Sequence, residues 1–425
     1  MLDIKFIRQN KESVEEACRK KKIDMNIDYL LELDEKRRLH LTDIEALRAE
    51  QNKLGKEGIE QAKKIKAQIK EIEPELKKTE DEFQELMLRV PNVIMDDVPE
   101  GKDETENRVI RKWGEVPKFD FKPKDHVSLG ESLDIIDTKK AAEVTGARFG
   151  YLKGGAALLE LALIQHAFNV LTSKEIVKKI ADSVEPSYAD KVFIPVFPPV
   201  MVRPEVFVRM ARLSPEDKNE RYYLPQDDLY LVGSAEHTLG ALHMDEIIPE
   251  KDFPIRYLGF STSFRREAGS YGKDTRGILR VHQFDKIEME SFTTPENSLK
   301  EQNFFVAIME YLMQSLKIPY QVVMICTGDM GAPDARQIDI EAWLPGQNKY
   351  RETHTSDLMT DYQARRLNTR VRRKDGSIEF VHMNDATAFA IGRAIIAIIE
   401  NYQQKDGTIK IPEVLQKYTG IKEIK

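Results

Sequence analysis

Two runs of apolar residues near the start of the chain restrict its fold more than any other feature. From Ala62, steps of three and four residues meet Ile65, Ile69, Ile72, Leu76, Thr79, Phe83, Leu86 and Val90, a heptad-like seam held over several turns. A long helix keeps such a seam on one side. Upstream, Leu30, Leu33, Ile44, Leu47 and Leu54 repeat the spacing, interrupted by Arg37, His40 and Gln51. Gly55 and Gly58 lie between the runs, where a helix would end and the chain reverse. The pattern predicts an antiparallel two-helix coiled coil about 40–45 Å long, roughly 30 residues at 1.5 Å each. Pro74 falls inside the second helix, where its missing N–H predicts a kink or a local break. Acidic residues slightly outnumber basic ones along this arm, so taken alone it reads as a spacer or dimerisation element.

The segment 91–108, PNVIMDDVPEGKDETENR, lacks periodicity and is rich in proline, glycine and acid, as a linker is. It sets the expected division: arm and linker over 1–108, a globular body over 109–425. In the body, runs rich in β-branched and aromatic residues at 191–196, 255–260 and 279–289 alternate with helical stretches at 299–316 and 387–402. A mixed sheet with flanking helices follows, an α+β fold. Neither a Walker loop nor a dinucleotide fingerprint follows a strand, so a nucleotide must be held another way. A net charge of -7 argues against coating nucleic acid by bulk electrostatics, which leaves only local RNA contact. Cys18 and Cys326, the only cysteines, lack CxxC spacing, so no disulfide framework and no zinc are expected, and a reducing cytoplasm is the natural setting. The opening residues carry charges throughout, without the apolar core of a secretory signal. The stretch 156–171, broken by Glu160, Gln165, His166 and Asn169, reads as too short and polar to span a bilayer.

The densest polar segment is 262–290, TSFRREAGSYGKDTRGILRVHQFDKIEME. Two strand-like runs flank a glycine-rich loop at 269–277, so Arg265, Glu267, Phe284 and Glu288 can point from one sheet face. A guanidinium suits a phosphate because it donates two parallel hydrogen bonds, and a carboxylate suits an adenine amino group or an ammonium. Phe284 offers a stacking surface. An exposed hairpin with solvated charges is the bland alternative.

This segment resembles motif 2 of the class II aminoacyl-tRNA synthetases, and the string FRREAGSYGKDTRGILRVHQFDKIE resembles the seryl-tRNA synthetase family in particular. The likeness extends through LRAEQNKLGK in the arm, the linker PNVIMDDVPEGKDE, CTGDMGAPDARQIDIEAWLPGQNKYRE, DYQARRLNTR and AIIAIIENYQ. It implies an antiparallel class II synthetase-type sheet with flanking helices, plus the N-terminal two-helix arm. Carried over, it assigns Arg265 to the ATP α-phosphate and the reacting carboxylate, with Arg266 and Glu267 beside the nucleotide, Glu267 reaching adenine, and Val281 and Phe284 against the base. Glu288 would contact serine. The family's TAE serine loop appears as Ser234, Ala235 and Glu236, and its EISS loop, which contacts ATP and magnesium, as Glu352, Thr353, His354 and Thr355. Glu352 and Thr355 are the implied magnesium ligands, an oxygen set suited to an ion that keeps several waters. Motif 3, DATAFAIGR, ends in Arg393, implied at the γ-phosphate and adenine. Within it the usual NGSG has become Asp385, Ala386, Thr387 and Ala388, where Thr387 keeps a hydroxyl for serine and Asp385 adds a charge. FIPVFPPVMV corresponds loosely to motif 1, which implies a homodimer.

The reaction implied is attack of the serine carboxylate on the α-phosphorus of ATP, then transfer of the seryl group to the 3′ end of tRNA(Ser), with tRNA(Sec) a second candidate acceptor. Arg265 and Arg393 are the implied catalytic residues, acting by position and charge. Three rivals share parts of the pattern: a relative loading a carrier protein, a relative that only binds, and a coiled-coil scaffold. The arm opposes the first, intact Arg265, Glu267, Glu288 and Arg393 the second, and the density of matching polar residues the third.

Overall fold

A computed structural model describes all residues except 55–57, 186, 187, 189, 190, 215, 216 and 269–275, so the expected turn at Gly55 and most of the loop 269–277 lie outside the described residues. The chain divides into two compact units, Met1–Val93 and Ile94–Lys425.

In the first unit two short helices, α1 (Ile4–Gln9) and α2 (Lys11–Lys20), precede the long pair α3 (Ile27–Lys53) and α4 (Ile59–Arg89). Asn26 opens α3 by accepting a hydrogen bond from the Tyr29 amide, which satisfies one of the orphan donors at a helix start. Ile44, Ile65, Ile69 and Leu76 make the buried seam, flanked by Leu41, Leu47, Leu54 and Ile72. Tyr29 meets Glu82 and Arg48 meets Glu73, contacts that only an antiparallel pair allows. Arg37 interrupts the apolar pattern without breaking the pairing. Its guanidinium lies 4.8 Å over the Phe83 ring and 3.4 Å from the buried Asp34 carboxylate, so a cation–π contact stands in for an apolar knob. The local break expected at Pro74 does not occur, because α4 runs through it. Proline there removes the amide that would bond the Lys70 carbonyl, a loss the buried neighbours Ile69 and Leu76 offset.

The second unit is built on an eight-stranded sheet of β1 (Arg108–Trp113), β2 (Ile194–Val196), β3 (Ile255–Phe264), β4 (Gln283–Thr293), β5 (Tyr320–Met324), β6 (Arg336–Leu344), β7 (Lys349–Thr360) and β8 (His382–Ala390). Their order is β1-β5-β6-β7-β8-β4-β3-β2, antiparallel throughout except that β2 runs parallel to β3. One face is apolar, with Ile287, Met289, Ile338, Ile340 and Ala386 packed beneath helices α5 (Gly155–Thr172), α6 (Ser298–Ser315) and α7 (Ile391–Asn401). Residues 387–390, expected as the start of a helix, instead finish β8. Register pairing with Lys286, Ile287 and Glu288 and the β-branched or aromatic Thr387 and Phe389 favour the sheet there. The strand expected at 279–289 is shifted to Gln283–Thr293, and the one at 191–196 shortens to Ile194–Val196.

Residues Ile94 and Val98 pack on Val323, Ile325 and Met330, so much of the expected linker counts with the second unit. Helix α5 is long and apolar enough to cross a membrane by length and composition alone, a test that a core helix also passes. Its Ala156, Leu159, Leu163, Ala167 and Val170 belong to the sheet-covering core.

Candidate active site

Strand alternation sets the other sheet face. On β4 the residues opposite Ile287 and Met289 are Phe284, Lys286, Glu288 and Glu290, and neighbouring strands add Asp385, Thr387, Gln337, Asp339, Glu352 and Thr355. A cavity of about 310 Å³ lies on this face, lined among others by Arg265, Glu267, Phe284, Asp339, Glu352 and Arg393.

At one end of the cavity the charges alternate. Arg393, at the start of α7, donates to the Glu352 backbone carbonyl at 2.8 Å and approaches its carboxylate at 3.1 Å. Partial desolvation in the cavity acts to raise the half-exposed Glu352 carboxyl, but Arg393 outweighs it and holds the group below its usual range. Arg265 donates through Nε to the Gly233 carbonyl at 3.1 Å, with its guanidinium 5.3 Å from the Phe284 ring. Glu267 occupies the left-handed region at φ 54, an uncommon state for a residue with a Cβ, and receives Arg280 at 2.8 Å. Asp339 accepts from Thr355, and burial pushes its carboxyl well above the usual range. Glu352, Asp339 and Thr355 form an all-oxygen donor set, the chemistry magnesium prefers.

Thr387 and Lys286 connect the cavity to a second cluster. Glu288, fully buried, accepts from Ser234 at 3.1 Å and Thr387 at 3.4 Å, and pairs with Lys286 at 2.5 Å. Burial nevertheless raises its carboxyl. Carboxylate oxygens of Glu236, Glu288 and Asp385 lie within 4.8 Å of one another. Such crowding of like charge favours a cationic guest, and an ammonium group fits it chemically. Glu236 pairs with Arg212 at 2.9 Å, and although burial opposes it this cation keeps Glu236 well below the usual range. Glu290 is fully buried with neither oxygen hydrogen-bonded among the described residues, and burial pushes it well up.

Most residues singled out from sequence meet on this face. Arg265, Glu267, Val281, Phe284, Glu352, Thr353, Thr355, Thr387 and Arg393 line the cavity, while Ser234, Glu236 and Glu288 form the adjoining cluster with buried Ala235 at the head of a short helix. Two do not reach it. Arg266 turns to Tyr222, 5.7 Å from its ring. His354 faces the opposite side: a register shift at Ile340 lets Glu352 and Thr353 both line the cavity, and alternation then sends His354 into the core, 5.7 Å from the Phe389 ring. Burial lowers its pKa to about 4. Sequence reasoning missed Lys286, Arg280, Gln337, Asp339 and Arg212. Lys286 was within reach, two residues from both Phe284 and Glu288 on one strand, whereas Arg212 sits in irregular backbone with no periodic signal.

Residues 1–94 match the family described as "Seryl-tRNA synthetase N-terminal domain", and residues 221–402 that described as "tRNA synthetase class II core domain (G, H, P, S and T)". A serine--tRNA ligase of Dictyoglomus turgidum is 42% identical, covering 100% of this chain and 99% of the relative. The crystal structure of seryl-tRNA synthetase from Pyrococcus horikoshii complexed with ATP is similar at 40% identity with a TM-score of 0.90, over 100% of this chain and 99% of that one. The cytoplasmic serine-tRNA ligase of Naegleria fowleri in complex with AMP is 32% identical with a TM-score of 0.88, over the same shares of the two chains, 100% and 99%.

Proposed function

Because the chain belongs to the seryl-tRNA synthetase family, we propose that the cavity over the polar sheet face is where it joins serine to ATP. The chain is a serine–tRNA ligase: it activates L-serine as seryl-adenylate and transfers it to tRNA. The observation that carries the assignment of the site is the pair Arg265 and Arg393 lining one cavity whose floor continues into the carboxylate cluster at Glu288. In this reading Arg265 binds the α-phosphate and the serine carboxylate, and Arg393 the γ-phosphate. Both are fixed before substrate arrives, Arg265 by the Gly233 carbonyl and Arg393 by Glu352, so little reorganisation is left for the transition state. Phe284 and Val281 carry the adenine, and Glu267 accepts from its amino group. Glu236 and Glu288 take the serine ammonium, with the Ser234 and Thr387 hydroxyls beside them.

No protein nucleophile is needed, since the serine carboxylate itself attacks phosphorus and pyrophosphate leaves. Magnesium would be held by Glu352 and Thr355, with Asp339 behind Thr355, and would neutralise triphosphate charge. A site that hydrogen-bonds the serine hydroxyl rejects alanine by about 10⁴–10⁵. The coiled-coil arm is assigned to tRNA(Ser) on family membership, since its charge balance does not suggest RNA. A homodimer is supported by exposed Leu158, Leu161, Ile194 and Phe197, apolar side chains on α5 and around β2. Two free cysteines, both buried, suit a reducing cytoplasm.

Serine-dependent exchange of pyrophosphate into ATP, followed by tRNA charging with and without residues 27–90, tests this reading. Exchange should survive removal of the arm while charging is lost. Absence of exchange with serine, or near-normal exchange in Arg265→Ala, would refute it.

A further inference from the structure

The substitution of Asp385 for the amide usual in the NGSG position puts an extra carboxyl into a pocket that already holds Glu236 and Glu288. It sits fully buried. Burial, then Glu236 and Asp357, push its pKa well up, against a single cation that pulls it back, Arg212. That cation reaches Asp385 Oδ2 at 3.2 Å and Glu236 Oε1 at 2.9 Å, with Asp357 at 3.8 Å. The other oxygen of Asp385, Oδ1, is buried without a hydrogen-bond partner among the described residues.

The backbone under Arg212 is set by the end of a short helix. The helix Pro204–Arg209 ends with the Ala211 amide bonded to the Val208 carbonyl and the Arg212 amide bonded to the Phe207 carbonyl. This is a Schellman cap, in which glycine normally takes the left-handed position. Here Ala211 takes it, at φ 57, a state that disfavours a residue with a Cβ. The strain is held by buried Phe207, Met210 and Leu213 on either side. Strain maintained by its surroundings, beside a substrate pocket, directs attention to the side chain that it aims.

Building on the serine-pocket reading above, we propose that Arg212 is a positioning and specificity-determining residue: it fixes Asp385 by Oδ2 and Glu236 by its carboxylate, leaving Asp385 Oδ1 as the hydrogen-bonding atom for the hydroxyl of the amino-acid substrate. The forked guanidinium is suited to this because it can hold two carboxyl groups in one geometry, which an ammonium cannot. Arg212 and Asp385 thus act as a unit. The amide usual at that position would need no such cation, having no charge to offset.

The test is serine-dependent pyrophosphate exchange in the full chain, with R212Q, R212K, D385N and the double variant R212Q/D385N, measuring KM for serine and for ATP separately. R212Q should raise the serine KM roughly 10–100-fold, the worth of a charge-assisted hydrogen bond, with ATP KM moving by less than about threefold. R212K should fall between. In the D385N background the effect of R212Q should shrink by about tenfold or more, because coupled residues are not additive. Equal rises in the two KM values, or equal effects in the two backgrounds, would mean that Arg212 is merely structural and would overturn the proposal. Should R212Q fail to fold, the same comparison made with R212K decides. E288Q separates the two levels of the argument. An unchanged serine KM in E288Q would displace the serine pocket itself, whereas a raised one alongside an unaffected R212Q would remove only the role of Arg212.

Discussion

His354 is the residue whose placement departs most from the family-based expectation, and its pH response is measurable. Its Nδ1 lies 2.8 Å from the Thr353 hydroxyl and its Nε2 is buried with no partner among the described residues. Burial lowers the folded pKa from 6.5 to about 4. A depressed folded value means that the unfolded chain binds the proton first, so the contribution is intact above pH 6.5 and is lost as pH falls toward 4. At pH 5 the loss amounts to about 2 kcal/mol relative to neutral pH. Both tryptophans, Trp113 and Trp343, belong to the second unit, so their fluorescence in a urea titration follows that unit alone. His354→Gln should be weakened by about 0.5–1.5 kcal/mol at pH 7, where the ring contact with Phe389 is lost. It should then lose about 2 kcal/mol less than the parent on going to pH 5. His166 and His237, lowered by burial to about 4 and about 3, contribute equally to both proteins and cancel. Identical pH slopes in the two proteins would refute the burial argument, and a large rise in KM for ATP in His354→Gln would return the residue to the nucleotide site.

Glu290→Gln should stabilise the second unit at neutral pH. Burial raises its carboxyl, so the parent loses stability as pH rises above the group's ordinary value, and the gain of the variant over the parent should grow with pH from there in the same titration. Arg256 and Glu301 form a fully buried bidentate pair at 2.6 and 2.8 Å. Glu301→Leu should cost about 3–5 kcal/mol by stranding the guanidinium, and Arg256→Met on top of it should recover much of the loss, read as urea midpoints. In the homodimer proposed above, Leu161, 57% exposed on α5, should support the subunit contact, so Leu161→Asp should yield monomers by light scattering without loss of secondary structure by circular dichroism. Persistence of the dimer would rule this face out.

The legible parts of the sequence were those in which one physical period dominates. The seam from Ile65 to Phe83 follows 3.5-residue spacing, and the helix pair forms on it despite Pro74 and Arg37. Alternation on β4 likewise carries Phe284 and Glu288 to one face. Where a local irregularity intervenes, counting fails. The register shift beside Ile340 inverts the facing of His354, which simple alternation would put on the same face as Glu352. Residues 387–390 read as the beginning of an apolar helix because 391–401 is one, and the pairing partners that make them a strand lie about a hundred residues away in 286–290. Arg212 was invisible for a related reason. Its importance comes from Glu236 and Asp385, which only the folded chain brings to it.

The titration pattern of the site follows from how those cations are distributed. Glu352 and Glu236 each have an arginine at 3.1 Å or less and are held below the usual carboxylate range, although desolvation opposes both. Asp339, Glu290 and Asp385, whose cations are absent or shared, are raised by burial. The polar face therefore contains two carboxylates held low by an arginine, one in each half of the site, set among carboxyls that burial raises. In the proposed site, phosphates entering beside Arg393 would compete with Glu352 for its guanidinium, while an ammonium entering beside Glu236 and Glu288 would relieve their mutual repulsion. Binding of the nucleotide in the proposed site would thus loosen an internal ion pair, which a divalent cation at Glu352 would offset, whereas the ammonium of the amino acid enters a cluster in which three carboxyls share Lys286 and Arg212 and needs no metal there. Ammonium recognition should accordingly be less dependent on magnesium than nucleotide recognition. Calorimetric titration of serine and of a non-hydrolysable ATP analogue, each with and without magnesium, would show that asymmetry, and an equal metal dependence for both would contradict this division of charge.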